Sequence, residues 1–270
     1  VTRLRIDLAY DGGPYGGFAR QPDSTTVQGA LEGALSVVFR HDVSLTCAGR
    51  TDRGVHALAQ VVHADVVPST ARGHAVLKNL PSLGRRIGHL VGDAITIWRV
   101  TEVDEAFDAR FSATWRAYRY RLAPIPADPR LRTVTWHLEG PLDIDAMRAA
   151  LAAAVGEHDY TSFCRAHVGR TTMRRIIEAD VVRAEPEVHV TMRGTAFCHQ
   201  QVRALTGSLV EVGRGRQPVS WLREVLEARD RSVAGPVAPP QGLTLEGVGY
   251  AQPYEDAPPA VADRAQLSFG

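Results

Sequence analysis

The densest chemistry in the chain lies in Cys47-Ala48-Gly49-Arg50-Thr51-Asp52-Arg53-Gly54-Val55-His56-Ala57. A single carboxylate, Asp52, stands between two guanidiniums, Arg50 and Arg53, and Gly49 and Gly54 frame the group. A carboxylate so flanked stays ionised, which suits nucleophilic attack or base work. The glycines permit tight backbone geometry or close approach of a substrate. The segment is too polar to be core and falls between two predicted strands, so it is a connection. The same residues also fit a plain hairpin loop with a surface Arg–Asp pair, and the pattern alone leaves both readings open.

Other chemistries find little support. His56 and His63 lie seven residues apart across a turn and a strand, and no tight His/Cys/carboxylate cluster accompanies them, so no metal site is expected. Neither G-x-x-x-x-G-K-[ST] nor G-x-G-x-x-G occurs. Cys47, Cys164 and Cys198 are widely spaced and odd in number, which argues against a disulfide framework or a cysteine zinc site.

The 270 residues carry a formal net charge of +1, yet the charges are segregated. Lys78 is the only lysine, so the basic residues are almost all arginine, whose planar fork of donors suits phosphate and stacking on bases. Residues 110–121 hold Arg110, Arg116, Arg119 and Arg121 without an acid, and residues 160–177 hold Arg165, Arg170, Arg174 and Arg175 without one. Phe111, Trp115, Tyr118, Tyr120, Tyr160 and Phe163 are interleaved with them. Basic stretches with aromatics suit RNA, where arginines take phosphates and rings stack on unpaired bases. Arg110, Arg116, Arg119, Arg165, Arg170, Arg174 and Arg175 are accordingly candidate phosphate contacts. No apolar run approaches the ~18–20 residues that span a bilayer, and residues 1–7 lack a signal-like apolar core. A soluble cytoplasmic protein is the expectation.

The elements that position these residues follow from periodicity. Residues 3–10 alternate as a strand. Residues 26–41 place Val27, Leu31, Leu35 and Val38 at helical spacing, with Ser24 or Thr25 as the expected N-cap. Strands are predicted at 43–47 and 58–67, a helix loosely over 75–90 with Pro81 weakening its first half, and a strand at 94–103. The order is βαββαβ. The second half repeats it: a strand at 115–123, a helix over 143–155 capped by Asp143, a strand pair 173–183 and 188–193 around Pro186, a helix over 197–212, another over 220–229, and a strand at 244–250. This predicts an α+β protein of two ferredoxin-like βαββαβ halves, residues 1–104 and 105–252, with a tail over 253–270. In such an arrangement the two sheets form a central cleft and the helices cover the outer face.

The signature from Gly49 to Ala57 resembles the active-site motif of the tRNA pseudouridine synthase A family. Other segments agree in order: Tyr10-Asp11-Gly12 with Tyr15-Gly16-Gly17-Phe18-Ala19-Arg20-Gln21, the stretch 24–31, Phe107-Asp108-Ala109-Arg110-Phe111-Ser112-Ala113, Tyr118-Arg119-Tyr120, Phe197-Cys198-His199-Gln200-Gln201-Val202-Arg203 through Gly207-Ser208-Leu209, and Gly242-Leu243-Thr244-Leu245. Phe18 stands where many members have Trp, Gln201 where Met is common, and the stretch 77–92 is longer than in many members.

The resemblance implies conversion of uridine to pseudouridine at tRNA positions 38, 39 and 40, in the anticodon stem-loop, by a homodimer. That isomerisation is redox-neutral and implies no cofactor. By the same resemblance Asp52 is the catalytic carboxylate, Tyr118 packs on the target base, Arg203 pairs with the aspartate, and Arg50 helps hold the base out of the stack, an extrusion that costs a few kcal/mol. His56 braces the loop. Two other classes stay open: a catalytically silent tRNA-binding protein of the same fold, and a metal-dependent RNA hydrolase, which the lack of carboxylate partners near Asp52 disfavours.

Overall fold

The computed structural model describes residues 1–68, 71–124, 128–165, 169 and 171–254. Along the chain these form β1 (Thr2–Tyr10), α1 (Val27–Phe39), β2 (Leu45–Cys47), β3 (His56–Val66), α2 (Ala71–Leu77), α3 (Leu80–Val91), β4 (Ile95–Val103), β5 (Ala113–Pro124), β6 (Trp136–Leu138), α4 (Ile144–Leu151), β7 (Gly156–Asp159), β8 (Met173–Ala184), β9 (Glu187–Gly194), α5 (Gln201–Gly213), α6 (Trp221–Ala228) and β10 (Leu243–Tyr250). The protein is a mixed α+β fold with mostly antiparallel strands, divided into two compact units. One comprises residues 1–114 together with the chain from Leu245 onward, the other Trp115–Thr244. All but the first two residues of the predicted tail, residues 255–270, and Arg170 lie outside the described residues.

In the first unit the sheet runs β4-β1-β3, with β2 and β10 both on the far edge of β3. β1 is buried on both faces at its centre: Leu4, Ile6 and Leu8 are wholly covered, and so is Asp7 between them. Asp7 is tolerated there because Arg5 Nη2 lies 2.8 Å from its Oδ1, a paired buried charge rather than a bare one. Helix α1 presents Val27, Leu31, Leu35 and Val38 to the core at the predicted spacing. Its N-cap is Thr26, whose Oγ1 accepts from Gly29 N, not Ser24 or Thr25. Those two residues serve the preceding loop instead, where Thr25 O accepts from Gly16 N. The single helix predicted over 75–90 is two: Asn79 caps α3 by accepting from Ser82 N at 3.0 Å, and Pro81 sits in that helix's first turn. Proline is harmless there because first-turn N–H groups have no intrahelical partner.

In the second unit the order is β5-β9-β8-β7, with β6 parallel to β5. Asp143 caps α4 as predicted, accepting from Ala146 N at 2.9 Å. Helix α5 starts at Gln201 rather than 197, because Gln200 adopts a left-handed φ of 65° and breaks the run. The residues before it are held by tertiary contacts, Phe197 packing edge-on against Tyr118 at 5.2 Å. The loop after α6 lies flush on α5: a Cβ on Gly207 would sit 1.8 Å from Pro236 O.

One buried ion cluster in this unit has a pH consequence. Arg121 grips Glu187 through Nη2–Oε1 at 2.6 Å and Nε–Oε2 at 2.7 Å, and His189 Nε2 lies 2.9 Å from Oε2. Burial pushes the Glu187 carboxyl up, but His189 and Arg121 outweigh it and hold it at about 2, against 4.5 ordinarily. A depressed acid stabilises the fold above its unfolded value and loses that contribution as pH falls through its folded value. Up to about 3 kcal/mol is therefore lost between pH 4.5 and 2. Glu187→Gln should flatten that acid limb in a stability–pH series; an unchanged limb would contradict the assignment.

Candidate active site

The Asp52 loop joins β2 to β3, and its shape is set by a buried polar network. Gln60, in the middle of β3 and fully buried, donates through Nε2 to Gly49 O at 2.7 Å and accepts from Gly49 N at 3.3 Å. Its Nε2 also reaches Tyr10 OH at 3.3 Å, and Tyr10 OH bonds Thr51 Oγ1 at 2.7 Å. Residues 49 and 51 are thereby fixed on either side of exposed Arg50. Asp52 O then accepts from Val55 N at 3.1 Å, closing a turn whose third residue, Gly54, has φ 78°. Glycine takes that value without strain. Asp52 is half-buried and Arg53 exposed.

The loop after β1 clamps this turn from the other side. Phe18 N donates to Thr51 O at 3.1 Å, and Gly17 (φ 112°) lies so close that a Cβ there would be 3.2 Å from both Thr51 O and Arg53 N. His56 is buried, and its Nδ1 accepts from Gly12 N at 3.1 Å. Asp11 Oδ1 is also 3.1 Å from that nitrogen, but a nitrogen accepting an N–H carries no proton of its own to give a carboxylate. The histidine thus ties the two loops together. His63 spends its Nδ1 in the same way, on Ala109 N at 2.9 Å, and burial lowers its affinity for a proton. Among the described residues no group of three or more His, Cys, Asp and Glu side chains is placed to hold a metal ion.

Gln60 and Tyr10 hold the backbone of this loop, a role not expected of them from the sequence. The signal for Gln60 is available: one amide in the apolar run Ala57-Leu58-Ala59-Gln60-Val61-Val62. Gln60→Leu leaves the Gly49 N–H and C=O without their partner, a cost of about 1–3 kcal/mol. A lowered melting temperature together with reduced turnover is expected. Normal turnover in a destabilised variant would separate the network from the Asp52 loop.

The second unit carries the other candidates. Tyr118 is half-buried on β5, its ring edge-on to Phe197. Arg203 sits in the first turn of α5, half-buried, with Nε donating to Ala238 O at 2.8 Å while Ala238 N donates to Arg203 O at 3.1 Å. Next to it Tyr120 OH donates to Pro239 O at 2.6 Å, and burial drives that phenol far above its ordinary range. The candidate phosphate ligands differ in availability. Arg110, Arg165 and Arg175 are exposed, Arg119 and Arg174 partly so. Arg110 lies 5.2 Å above the ring of Phe111, itself 79% exposed. Arg116 is buried, with Nη1 donating to Thr195 O at 2.8 Å, and has the least surface to offer a phosphate.

Taken by themselves, a backbone-anchored turn carrying Asp52, the arginines on either side of it and one exposed ring, Phe111, suit an enzyme that acts on RNA, whereas Tyr120, Tyr160 and Phe163 of the basic stretches are wholly buried and offer no stacking surface. The family model described as tRNA pseudouridine synthase matches residues 150–251. A tRNA pseudouridine synthase A from Frankia casuarinae is 45% identical over 98% of this chain and 95% of its own. One from Streptomyces griseus is 44% identical over 92% and 88%, and one from a Caulobacter species 42% over 93% and 98%. The chain belongs to the tRNA pseudouridine synthase A family. Its activity is that of an isomerase converting tRNA uridine to pseudouridine. No helix among the described residues is long and apolar enough to cross a membrane.

Proposed function

We propose that this enzyme isomerises uridines 38, 39 and 40 of the tRNA anticodon stem-loop, with Asp52 as its catalytic carboxylate. The observation that carries this reading is the construction of the Asp52 turn: backbone and side-chain bonds from Gln60, Tyr10, Phe18 and Gly12 hold it from several directions. Such support is what a reacting group needs to keep its geometry. In this reading Arg50, exposed beside it, holds the target base out of the stack, Tyr118 packs on that base, and Arg203 pairs with the aspartate. Arg110, Arg119, Arg165, Arg174 and Arg175 contact phosphates, with Arg116 and Arg170 as further candidates. An enzyme that modifies adjacent positions must read shape and backbone more than base identity, which suits a surface rich in exposed arginine.

The same reading extends to architecture, assembly and place: two ferredoxin-like βαββαβ halves, residues 1–104 and 105–252, working in a cytoplasmic homodimer. The order β4-β1-β3, with β2 on the far edge of β3, supports it for the first half. Site mapping on defined transcripts tests the substrate. Pseudouridine should appear at 38, 39 and 40 and vanish from each position replaced by cytidine. Modification elsewhere in the same transcripts would contradict the proposal.

A further inference from the structure

The loop between β4 and β5, residues 104–112, has a buried frame and an exposed tip. Phe107 and Ala109 are wholly covered and share a core cluster with Ala48 and Val61. Arg3 Nη1 donates to Phe107 O at 3.0 Å. Ala109 is held from two sides, its N donating to His63 Nδ1 at 2.9 Å and its O accepting from Tyr250 OH at 2.7 Å. Asp108 shapes the tip. Its Oδ1 accepts from Arg110 N and from Phe111 N, each at 2.8 Å, and its backbone exchanges two bonds with Ser112, each at 2.9 Å.

This frame projects Phe111 into solvent, 79% exposed. Among the described residues no other Phe, Tyr or Trp side chain is exposed. The Arg110 guanidinium carbon stands 5.2 Å from the centre of the ring, yet most of the ring is left uncovered. Nothing in the loop's own hydrogen bonding calls for an aromatic side chain here, since the Phe111 N–H alone contacts Asp108. A rigidly held ring with a cation beside it has the two features that take up a single-stranded nucleotide: a π-face for the base and a charge for the phosphate.

We propose that Phe111 is the stacking platform for one unpaired base of the tRNA, a base other than the uridine being isomerised, with Arg110 beside that nucleotide's phosphate. The substrate class comes from the family; the proposal needs neither Asp52 as the catalytic carboxylate nor positions 38–40 as the targets. The placement gives the platform a use in the reaction. Ala109, two residues before Phe111, packs in the same cluster as Ala48, which leads directly into Gly49 and the Asp52 loop. The platform and that loop therefore stand on one core, and a base held on Phe111 keeps its register with the Asp52 turn.

Binding of unmodified tRNA transcript to the full-length chain at one fixed salt concentration tests this without recourse to turnover. Phe111→Ala should weaken binding by about 5- to 100-fold, the range for loss of one base–aromatic stack. Phe111→Trp should bind within about 3-fold of the wild type, and Phe111→Leu, which keeps an apolar side chain without a π-face, should bind as poorly as Phe111→Ala. Transcripts with an abasic site at each unpaired position then locate the base. At one position, removing the base should weaken wild-type binding by a similar factor and leave Phe111→Ala unaffected, the non-additivity that marks a direct contact. Sedimentation and melting curves of wild type and Phe111→Ala should coincide. Unchanged tRNA affinity in Phe111→Ala, full rescue by Phe111→Leu, or abasic losses that add to the Phe111→Ala loss at every position would each overturn the proposal. A change of oligomeric state in Phe111→Ala would overturn it as well, by assigning the ring to a contact with a second copy of the chain.

Discussion

Gly12→Ala should lower turnover by about 100-fold while the chain still folds. A Cβ on Gly12 would lie 2.1 Å from Val55 O, 2.5 Å from Val55 C and 2.9 Å from Val55 N. All three are backbone atoms of the turn that begins at Asp52, so no side chain can step aside to relieve the clash. Either the loop after β1 or the Asp52 turn must move, and Gly12 N would draw away from His56 Nδ1. Overpacking of this kind costs about 1–3 kcal/mol, and displacing a catalytic group by about 1 Å costs about 10²-fold in rate. Gly33→Ala is the matched control. It lies exposed in α1 with nothing within 4 Å of the added methyl, and should be neutral or stabilising by about 0.5–1 kcal/mol. Turnover and melting temperature of the two variants, measured together, decide the matter. Near-normal turnover in Gly12→Ala would mean that the contact with Val55 does not set the position of Asp52.

The regular elements are largely legible in the sequence where local physics decides them. The apolar stripe of α1, the Asp143 cap of α4 and the alternation of β1 all follow from residue type and spacing. What escapes is decided at longer range. β6 and β7 are three and four residues long, and Gly156-Glu157-His158-Asp159 has no apolar alternation to announce a strand. The start of α5 depends on Phe197 packing against Tyr118, a partner 79 positions away in the chain and invisible to local pattern. The Asp52 loop is legible as a connection between strands, and its glycines as turn residues. The network that stiffens it is not, because Tyr10, Thr51 and Gln60 meet only once β1 and β3 pair. Arg116 teaches a finer point. The two-residue period of β5 puts it on the face of Tyr118 and Tyr120, so strand alternation alone separates it from the more available Arg119.

Asp52→Asn carries the largest expected effect. The substitution preserves shape, and the turn it belongs to is closed by the Asp52 carbonyl rather than its side chain, so the fold and its melting temperature should hold. Binding of tRNA should persist, because the proposed phosphate contacts lie elsewhere. Turnover should fall by at least about 10³-fold, since an amide can act neither as nucleophile nor as base. The direct readout is tritium release from unmodified tRNA labelled at uracil C5, wild type and Asp52→Asn side by side, because joining C5 to the ribose must expel that hydrogen. Release by the wild type with none by a folded, tRNA-binding variant is the expected result. Undiminished release by Asp52→Asn would remove the carboxylate from the reaction, and no release by the wild type with tRNA still bound would leave a binding protein in place of an enzyme.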